Sequence, residues 1–274
     1  MQAHQHEIGV ISKRGRDRDV ERSERRLVVR WNRDMFMDWT AFMVGFSIMA
    51  LASLAIYATG SKRPPSRHHT LLHATVPFIA ATAYLAMAFG IGTLIKPDGS
   101  ATYFARYVDW SITTPLLLAG LVLLAFHERG KTGEVGGFLT SIIVLDVLMI
   151  VTGLISSLAE VPFAKWVWFC WSCAAFAGVL YLLWGPLRAM AAERGAALNG
   201  AYAKNVTFLT VIWFLYPLVF LVGPEGLKMI NDPTSVWAIL VMDVIAKVVY
   251  AFYAASNLDK ALREHRDDRD GHRA

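Results

Sequence analysis

Seven stretches of the chain are apolar almost without interruption, near 35–59, 71–95, 101–126, 135–158, 163–186, 204–223 and 234–257. Each is about as long as the ~20 residues an α-helix needs to cross the ~30 Å hydrocarbon core of a bilayer. Such a segment must satisfy its main-chain polar groups internally, because lipid offers them no partner. A transmembrane barrel would instead alternate polar and apolar side chains over segments of about ten residues, and these runs do not alternate. The expected fold is an all-α membrane protein, a seven-transmembrane-helix bundle over residues 35–258, with a polar basic N-terminal tail (1–34) and a charged C-terminal tail (259–274). Turn chemistry separates the runs, as in Lys96-Pro97-Asp98-Gly99, Glu160-Val161-Pro162 and Gly223-Pro224-Glu225-Gly226.

Composition agrees with a lipid solvent. Of 274 residues, 55% are hydrophobic and 18% charged, whereas soluble domains carry about a quarter charged residues. For the bulk of the chain this excludes disorder, collagen and nucleic-acid binding through a basic surface. The net charge of +5 sits in tails and loops, where it orients helices. Loops one, three and five hold eight basic residues (Lys62, Arg63, Arg67, Arg129, Lys131, Arg188, Arg194, Lys204) against three (Lys96, Lys165, Lys228) in the others. The C-terminus is therefore expected on the cytoplasmic side of a cell (inner) membrane and the N-terminus outside, although nine basic residues in the N-terminal tail oppose that bias. The tail does not read as a secretory signal. Cys170 and Cys173 form no disulfide framework, lack the alternating strands and helices of a redox fold, and are expected as small buried packing residues.

An ionisable group at membrane depth costs a few kcal/mol and should face the bundle interior with a partner. Arg106, Asp109, Asp146, Asp243 and Lys247 are such groups. Asp243 and Lys247 share one helical face, four residues apart, and Arg106, Asp109 and Thr113 share another. Two carboxylates thus oppose two cations on the third and seventh spans. These charges could simply pin the two helices together. Trp110, Trp168, Trp213, Tyr216 and Tyr84 fall at similar depth, however, and large rings around a buried amine suggest a cavity for a flat apolar ligand. A lysine in such a pocket is poised to form a Schiff base.

The third span reads Arg106-Tyr107-Val108-Asp109-Trp110-Ser111-Ile112-Thr113-Thr114-Pro115, the sixth contains Trp213-Phe214-Leu215-Tyr216-Pro217, and the seventh contains Asp243-Val244-Ile245-Ala246-Lys247. Together these resemble the microbial (type 1) rhodopsins over all seven helices. The resemblance implies all-trans retinal bound covalently to Lys247 as a protonated Schiff base. Asp109 would be primary counterion and proton acceptor, and Asp243 the second counterion. Trp110 and Trp213 would sandwich the polyene beside Pro217, Tyr84 and Tyr216 would hydrogen-bond Asp243, and Thr113 would hydrogen-bond Asp109. Arg106 would couple the counterions to the exit. Asp146 resembles a helix-four carboxyl near the ring end of retinal, expected as a protonated donor to helix three. Leu117, at the colour-sensitive position, implies green absorption, and Phe169 argues against a carotenoid antenna.

A carboxylate at 109 disfavours a chloride pump, and the Asn and Asp expected of a sodium pump at 109 and 113 are absent. The sequence therefore resembles the light-driven outward proton pumps; a slow-cycling sensory photoreceptor is the alternative, and a retinal-free seven-helix receptor or carrier a third. Eleven residues beyond Asp109, where such pumps usually have a proton-donating acid, stands Gly120. The Asp109, Thr113, Gly120 triad resembles a bacterial subgroup lacking that donor. Gly120 serves either close helix packing or water entry. His73, with an ordinary pKa of about 6.5, is either a substitute donor or an interfacial histidine beside His68 and His69. Three histidines without a nearby Cys, Asp or Glu do not make a metal site. Glu225 resembles the proton-release acid, with Ser235 where a second acid would stand and Asp232 close by. The expected partners are lipid, protons and further copies in a homo-oligomer, with neither a nucleic acid nor a transducer; the output is a proton gradient, so no enzyme activity is expected.

Overall fold

The computed structural model describes residues 35–59, 67–97, 99–126 and 132–271. The N-terminal tail, the loop cations Lys62, Arg63, Arg129 and Lys131, and the side chains of Arg67, His68 and His69, all used in the readings above, lie outside what it describes.

The order is α1 (Met35–Thr59), α2 (Arg67–Ala88), β1 (Thr93–Ile95), β2 (Ala101–Tyr103), α3 (Phe104–Ala125), α4 (Thr132–Leu158), α5 (Pro162–Trp184), α6 (Pro186–Ala192), α7 (Ala196–Val222), α8 (Asp232–Asp243) and, after a π-type stretch over Val244–Val249, α9 (Tyr250–Gly271). Seven membrane spans result, because α6 continues the fifth and α8, the π stretch and α9 together form the seventh. Proline stands in the first two positions of α5, α6 and α8, where its missing N–H deprives no helical bond. At the start of α8 the Asn231 side chain also caps, accepting from the Thr234 N–H at 3.0 Å.

The bundle buries its central charges and turns large apolar side chains outward. Phe163, Tyr181 and Phe89 are 79%, 73% and 72% exposed, whereas Asp109, Asp243 and Lys247 are at most 2% exposed. That inversion is what a lipid solvent selects, and the chain is a multi-pass membrane protein. Two apolar cores lie above and below the buried charges. One joins α3, α5, α7 and α9 around Leu121, Leu183, Leu209 and Tyr250. The other joins α1, α2, β2 and α8 around Phe42, Tyr84, Tyr103 and Leu240.

The span boundaries need three corrections. The second and third runs do not extend to 95 and from 101. Residues 93–95 and 101–103 form an antiparallel hairpin, with Thr93 opposite Tyr103 and Ile95 opposite Ala101. Its strands are as apolar as the spans, which hides them from hydropathy; the break lies in Gly90 and Gly92, at φ +72° and +76°. The sixth span begins at Ala196, so Lys204 sits inside a helix rather than in a loop. The seventh helix runs unbroken past 258 to Gly271, through residues read as tail.

Gly92 locks the hairpin onto α3. Its carbonyl accepts the Ala105 N–H at 3.1 Å, and a Cβ there would lie 2.4 Å from that of Ala105. Gly90 shares the left-handed backbone but has nothing within 4 Å of a would-be Cβ. A non-glycine residue held in this region costs about 1–3 kcal/mol, and the Ala105 collision adds to that only at 92. Gly92→Ala is expected to lower the thermal midpoint by more than Gly90→Ala, by several degrees; differential scanning calorimetry of the two variants checks the order.

Candidate functional site: a buried lysine between two carboxylates

Lys247 lies in the π-type stretch, where the local widening breaks the regular i→i−4 pattern of the seventh span, a feature frequent at functional positions. Its ammonium donates directly to Asp109 Oδ2 on α3 and lies 3.6 Å from Asp243 Oδ2 one turn earlier on its own span. The expected pairing of the third and seventh spans is therefore present. The two carboxylates are served differently. Asp243 accepts from Tyr84 Oη (2.9 Å, α2), Tyr216 Oη (2.7 Å, α7) and Trp110 Nε1 (3.3 Å, α3). Asp109 Oδ1, by contrast, is buried without a hydrogen-bond partner. Each hydrogen bond to a charged group is worth about 1.5–3 kcal/mol, so Asp243 is the more firmly held anion. The sequence anticipated both phenols but gave Trp110 only a ring-packing role.

Gly45 is a supporting position that the sequence reading missed. A Cβ there would lie 2.5 Å from Tyr84 Cδ1 and 2.9 Å from Leu240 Cδ1. The bare backbone of α1 is what lets the Tyr84 ring reach Asp243.

A cavity runs from the lysine into the bundle, lined among others by Trp110, Leu117, Phe176, Trp213, Tyr216 and Pro217. Trp110 meets Tyr216 edge-on at 5.2 Å between ring centroids. Phe169 closes part of the wall and stacks on Phe220 at 5.0 Å. Trp168, expected among these rings, instead faces outward and is 36% exposed. Cys170 is likewise exposed rather than buried, while Cys173 lines the cavity. On a helix next to lipid an apolar face outside and an apolar face inside look the same in sequence, so residues 168–170 could not be assigned from composition.

Thr113 donates to the main-chain carbonyl of Asp109 at 2.9 Å, and its hydroxyl also faces the Asp109 carboxyl. This back-bond to i−4 is the usual resting place of a helical threonine hydroxyl. Thr114 Oγ1 lies 2.8 Å from the Trp110 carbonyl and 2.5 Å from Asp146 Oδ2. The Thr114 hydroxyl thus donates toward Asp146 and ties α3 to α4.

At the end of the bundle away from the hairpin, His73 is 6% exposed, packed edge-on against Tyr250 at 5.7 Å. Its imidazole thus faces the bundle interior. A Cβ at Gly120 would lie 3.9 Å from His73 Cε1 and 4.0 Å from Nε2. These are ordinary contact distances, so close packing does not demand glycine at 120. The imidazole itself occupies the neighbourhood of the missing acid. Among the described residues no cluster of His, Cys, Asp or Glu could hold a metal ion.

Toward the hairpin, Arg106 is buried with Nε and Nη2 lacking hydrogen-bond partners. Tyr107 donates to Glu225 Oε2 at 3.3 Å. Burial pushes the Glu225 carboxyl above its ordinary pKa, opposed by the positive charges of Arg106 and Lys96. Lys96 was read only as a loop cation; it is buried, donating to the Ser157 carbonyl at 3.1 Å and tying the hairpin turn to the last turn of α4.

Fold and site together define a seven-helix membrane protein with a carboxylate-paired amine at its centre. The family model described as "Bacteriorhodopsin-like protein" matches residues 36–260, and the chain belongs to that family, the microbial type 1 rhodopsins. Archaerhodopsin-2 of Halobacterium sp. (strain aus-2) is 40% identical over 191 residues, covering 68% of this chain and 71% of that protein. Sensory rhodopsin-2 of Natronomonas pharaonis is 30% identical over 229 residues, covering 82% and 91%. The crystal structure of the light-driven proton pump of Coccomyxa subellipsoidea superposes with a TM-score of 0.72 at 33% identity, covering 80% of this chain and 95% of that one.

The raised pKa of Glu225 fixes the sign of a stability effect. The folded state retains the Glu225 proton above pH 4.5, where the unfolded chain has lost it, so stability attributable to this group falls as pH rises from there through its folded pKa. Thermal midpoints measured across that range are expected to decline less in Glu225→Gln than in the parent; equal slopes would contradict the assignment.

Proposed function

We propose that this protein is a light-driven outward proton pump that binds all-trans retinal through a Schiff-base linkage on Lys247. The observation that carries the reading is the direct contact of Lys247 Nζ with Asp109, beside a cavity walled by aromatic rings. The cavity fits the group: it is long, aromatic-walled and ends on a buried amine. When bound, retinal supplies light absorption and an isomerisation that reorients the nitrogen proton.

The rest is work for the chain. Trp110, Trp213 and Pro217 confine the ligand, and the acids keep the Lys247 nitrogen protonated in a medium that disfavours an isolated charge. The proton leaves Nζ for Asp109 and not Asp243, because protonating Asp243 would weaken the charge-assisted hydrogen bonds that Tyr84, Tyr216 and Trp110 donate to its anion. Arg106, on the hairpin side of Asp109, biases onward movement toward Glu225. His73, against Gly120, returns a proton from the opposite side. The hairpin end is then extracellular and the His73 end cytoplasmic, with the C-terminus inside a cell membrane, as the loop charges expect. The Asp109-Thr113-Gly120 triad supports grouping the protein with pumps that lack the usual donor.

A sensory photoreceptor is the second reading, favoured by the likeness to a sensory rhodopsin and by the missing acid at 120. Illumination of cells making the protein separates the two. Pumping predicts a protonophore-sensitive acidification of the medium that Lys247→Ala abolishes together with the visible absorption. A cycle lasting seconds with no acidification would favour sensing. For the donor, His73→Ala is expected to slow reprotonation of the Lys247 nitrogen about tenfold or more, with little effect on its deprotonation. Time-resolved absorption checks this, and unchanged reprotonation would assign the step to water entering beside Gly120.

A further inference from the structure

Arg106 is bracketed by two phenols four residues apart, Tyr103 and Tyr107, and each donates to a carboxylate from a different part of the chain. Tyr107 serves Glu225 in the loop between α7 and α8 at 3.3 Å. Tyr103 serves Asp38 Oδ2, in the first turn of α1, at 2.7 Å. The Arg106 guanidinium carbon lies 5.2 Å from the Tyr103 ring centroid, within cation–π range. Phe42, one turn along α1 from Asp38, packs edge-on against the same ring at 5.0 Å. Asp38 and Tyr103 are 9% and 8% exposed. Burial and the charge of Asp38 hold the Tyr103 hydroxyl well above its ordinary pKa, so it stays a donor throughout the neutral range.

Packing accounts for Phe42 and for the ring of Tyr103. It does not account for an acid, since a buried carboxylate costs desolvation that an apolar side chain of similar size avoids. The arrangement repeats, on the α1 side of Arg106, the phenol and carboxylate found on its Glu225 side.

We propose that Asp38 and Tyr103 form a second proton-exit pair, parallel to Tyr107 and Glu225, with Arg106 between the two. The inference rests on the pump reading above. Once Asp109 has taken a proton, the guanidinium loses negative charge on its inner side and is drawn to the outer carboxyls. The proton held by Asp109 moves outward past Arg106 to the Asp38 carboxylate, forming an O–H bond there as that of Asp109 breaks. The site resets when the Asp38 O–H bond breaks and its proton enters bulk water, leaving the carboxylate held by Tyr103. One proton leaves per cycle, and Tyr103 keeps its own proton throughout as a positioning residue. Besides Arg106, Asp232 at the start of α8 contributes charge to this pair.

The test uses the full-length protein in lipid nanodiscs, with a pH dye in the medium and flash absorption recorded in the same traces. Release through both exits predicts that Asp38→Asn and Glu225→Gln each shrink the prompt phase of proton appearance about twofold without abolishing it, and that the double variant loses it. Tyr103→Phe, which leaves the carboxyl in place, should shrink it less than Asp38→Asn. Light-induced infrared difference spectra should contain a carboxyl band that disappears in Asp38→Asn. Wild-type release timing in Asp38→Asn, with Glu225→Gln alone abolishing the prompt phase, would overturn the proposal. Absence of net acidification by the parent protein would instead count against the pump reading; in that case the infrared band still decides whether Asp38 exchanges a proton, and its absence overturns the proposal.

Discussion

The contact between Lys247 and Asp109 is the interaction on which the rest of the structure depends. A charge at mid-membrane costs several kcal/mol unless it is paired, and this lysine is 2% exposed in the middle of a bundle whose outer surface is apolar. The helices that surround it can be understood as means of meeting that cost. The third span brings Asp109, the seventh brings Asp243, and the second and sixth bring Tyr84 and Tyr216 to hold Asp243 in place. Even the first span takes part, because Gly45 gives the Tyr84 ring the room it needs.

The two acids look alike in sequence and differ in structure. Asp243 accepts from two phenols and an indole; Asp109 is paired directly with the Lys247 ammonium. That asymmetry separates holding a positive charge from receiving a proton, and it is set by hydrogen bonding, not by distance along the chain. A similar division applies along the bundle axis. On one side of the pair stands an imidazole beside a glycine; on the other a guanidinium stands among phenols and carboxylates. Under the proposed function, a proton crossing the protein would meet groups of different chemistry before and after the central amine.

Much of this was legible in the sequence because lipid imposes strong rules. Seven apolar runs gave the fold, and ionisable residues within them gave the lysine and its two acids, since nothing else explains charge at that depth. The tyrosines on Asp243 followed from the family resemblance, and the structure bears their bonds out. What stayed hidden had specific causes. The hairpin strands at 93–95 and 101–103 are as apolar as the helices around them. Trp168 and Phe169 are adjacent and equally apolar, so only helix rotation tells which faces the cavity. Lys96 looked like a loop charge until its bond to the Ser157 carbonyl placed it against the bundle. The pairing of Tyr103 with Asp38 joins residues 65 positions apart and carries no local signal, beyond the four-residue spacing of Tyr103 and Tyr107 about Arg106.

The central claim is that Asp109, not Asp243, takes the proton from the Lys247 nitrogen. Light-induced infrared difference spectroscopy on the parent, Asp109→Glu and Asp243→Glu tests it most directly. The account predicts a protonated-carboxyl band that rises as the nitrogen loses its proton, shifts in Asp109→Glu and stays put in Asp243→Glu. A band that follows position 243 instead, or deprotonation with no carboxyl band at all, would contradict it.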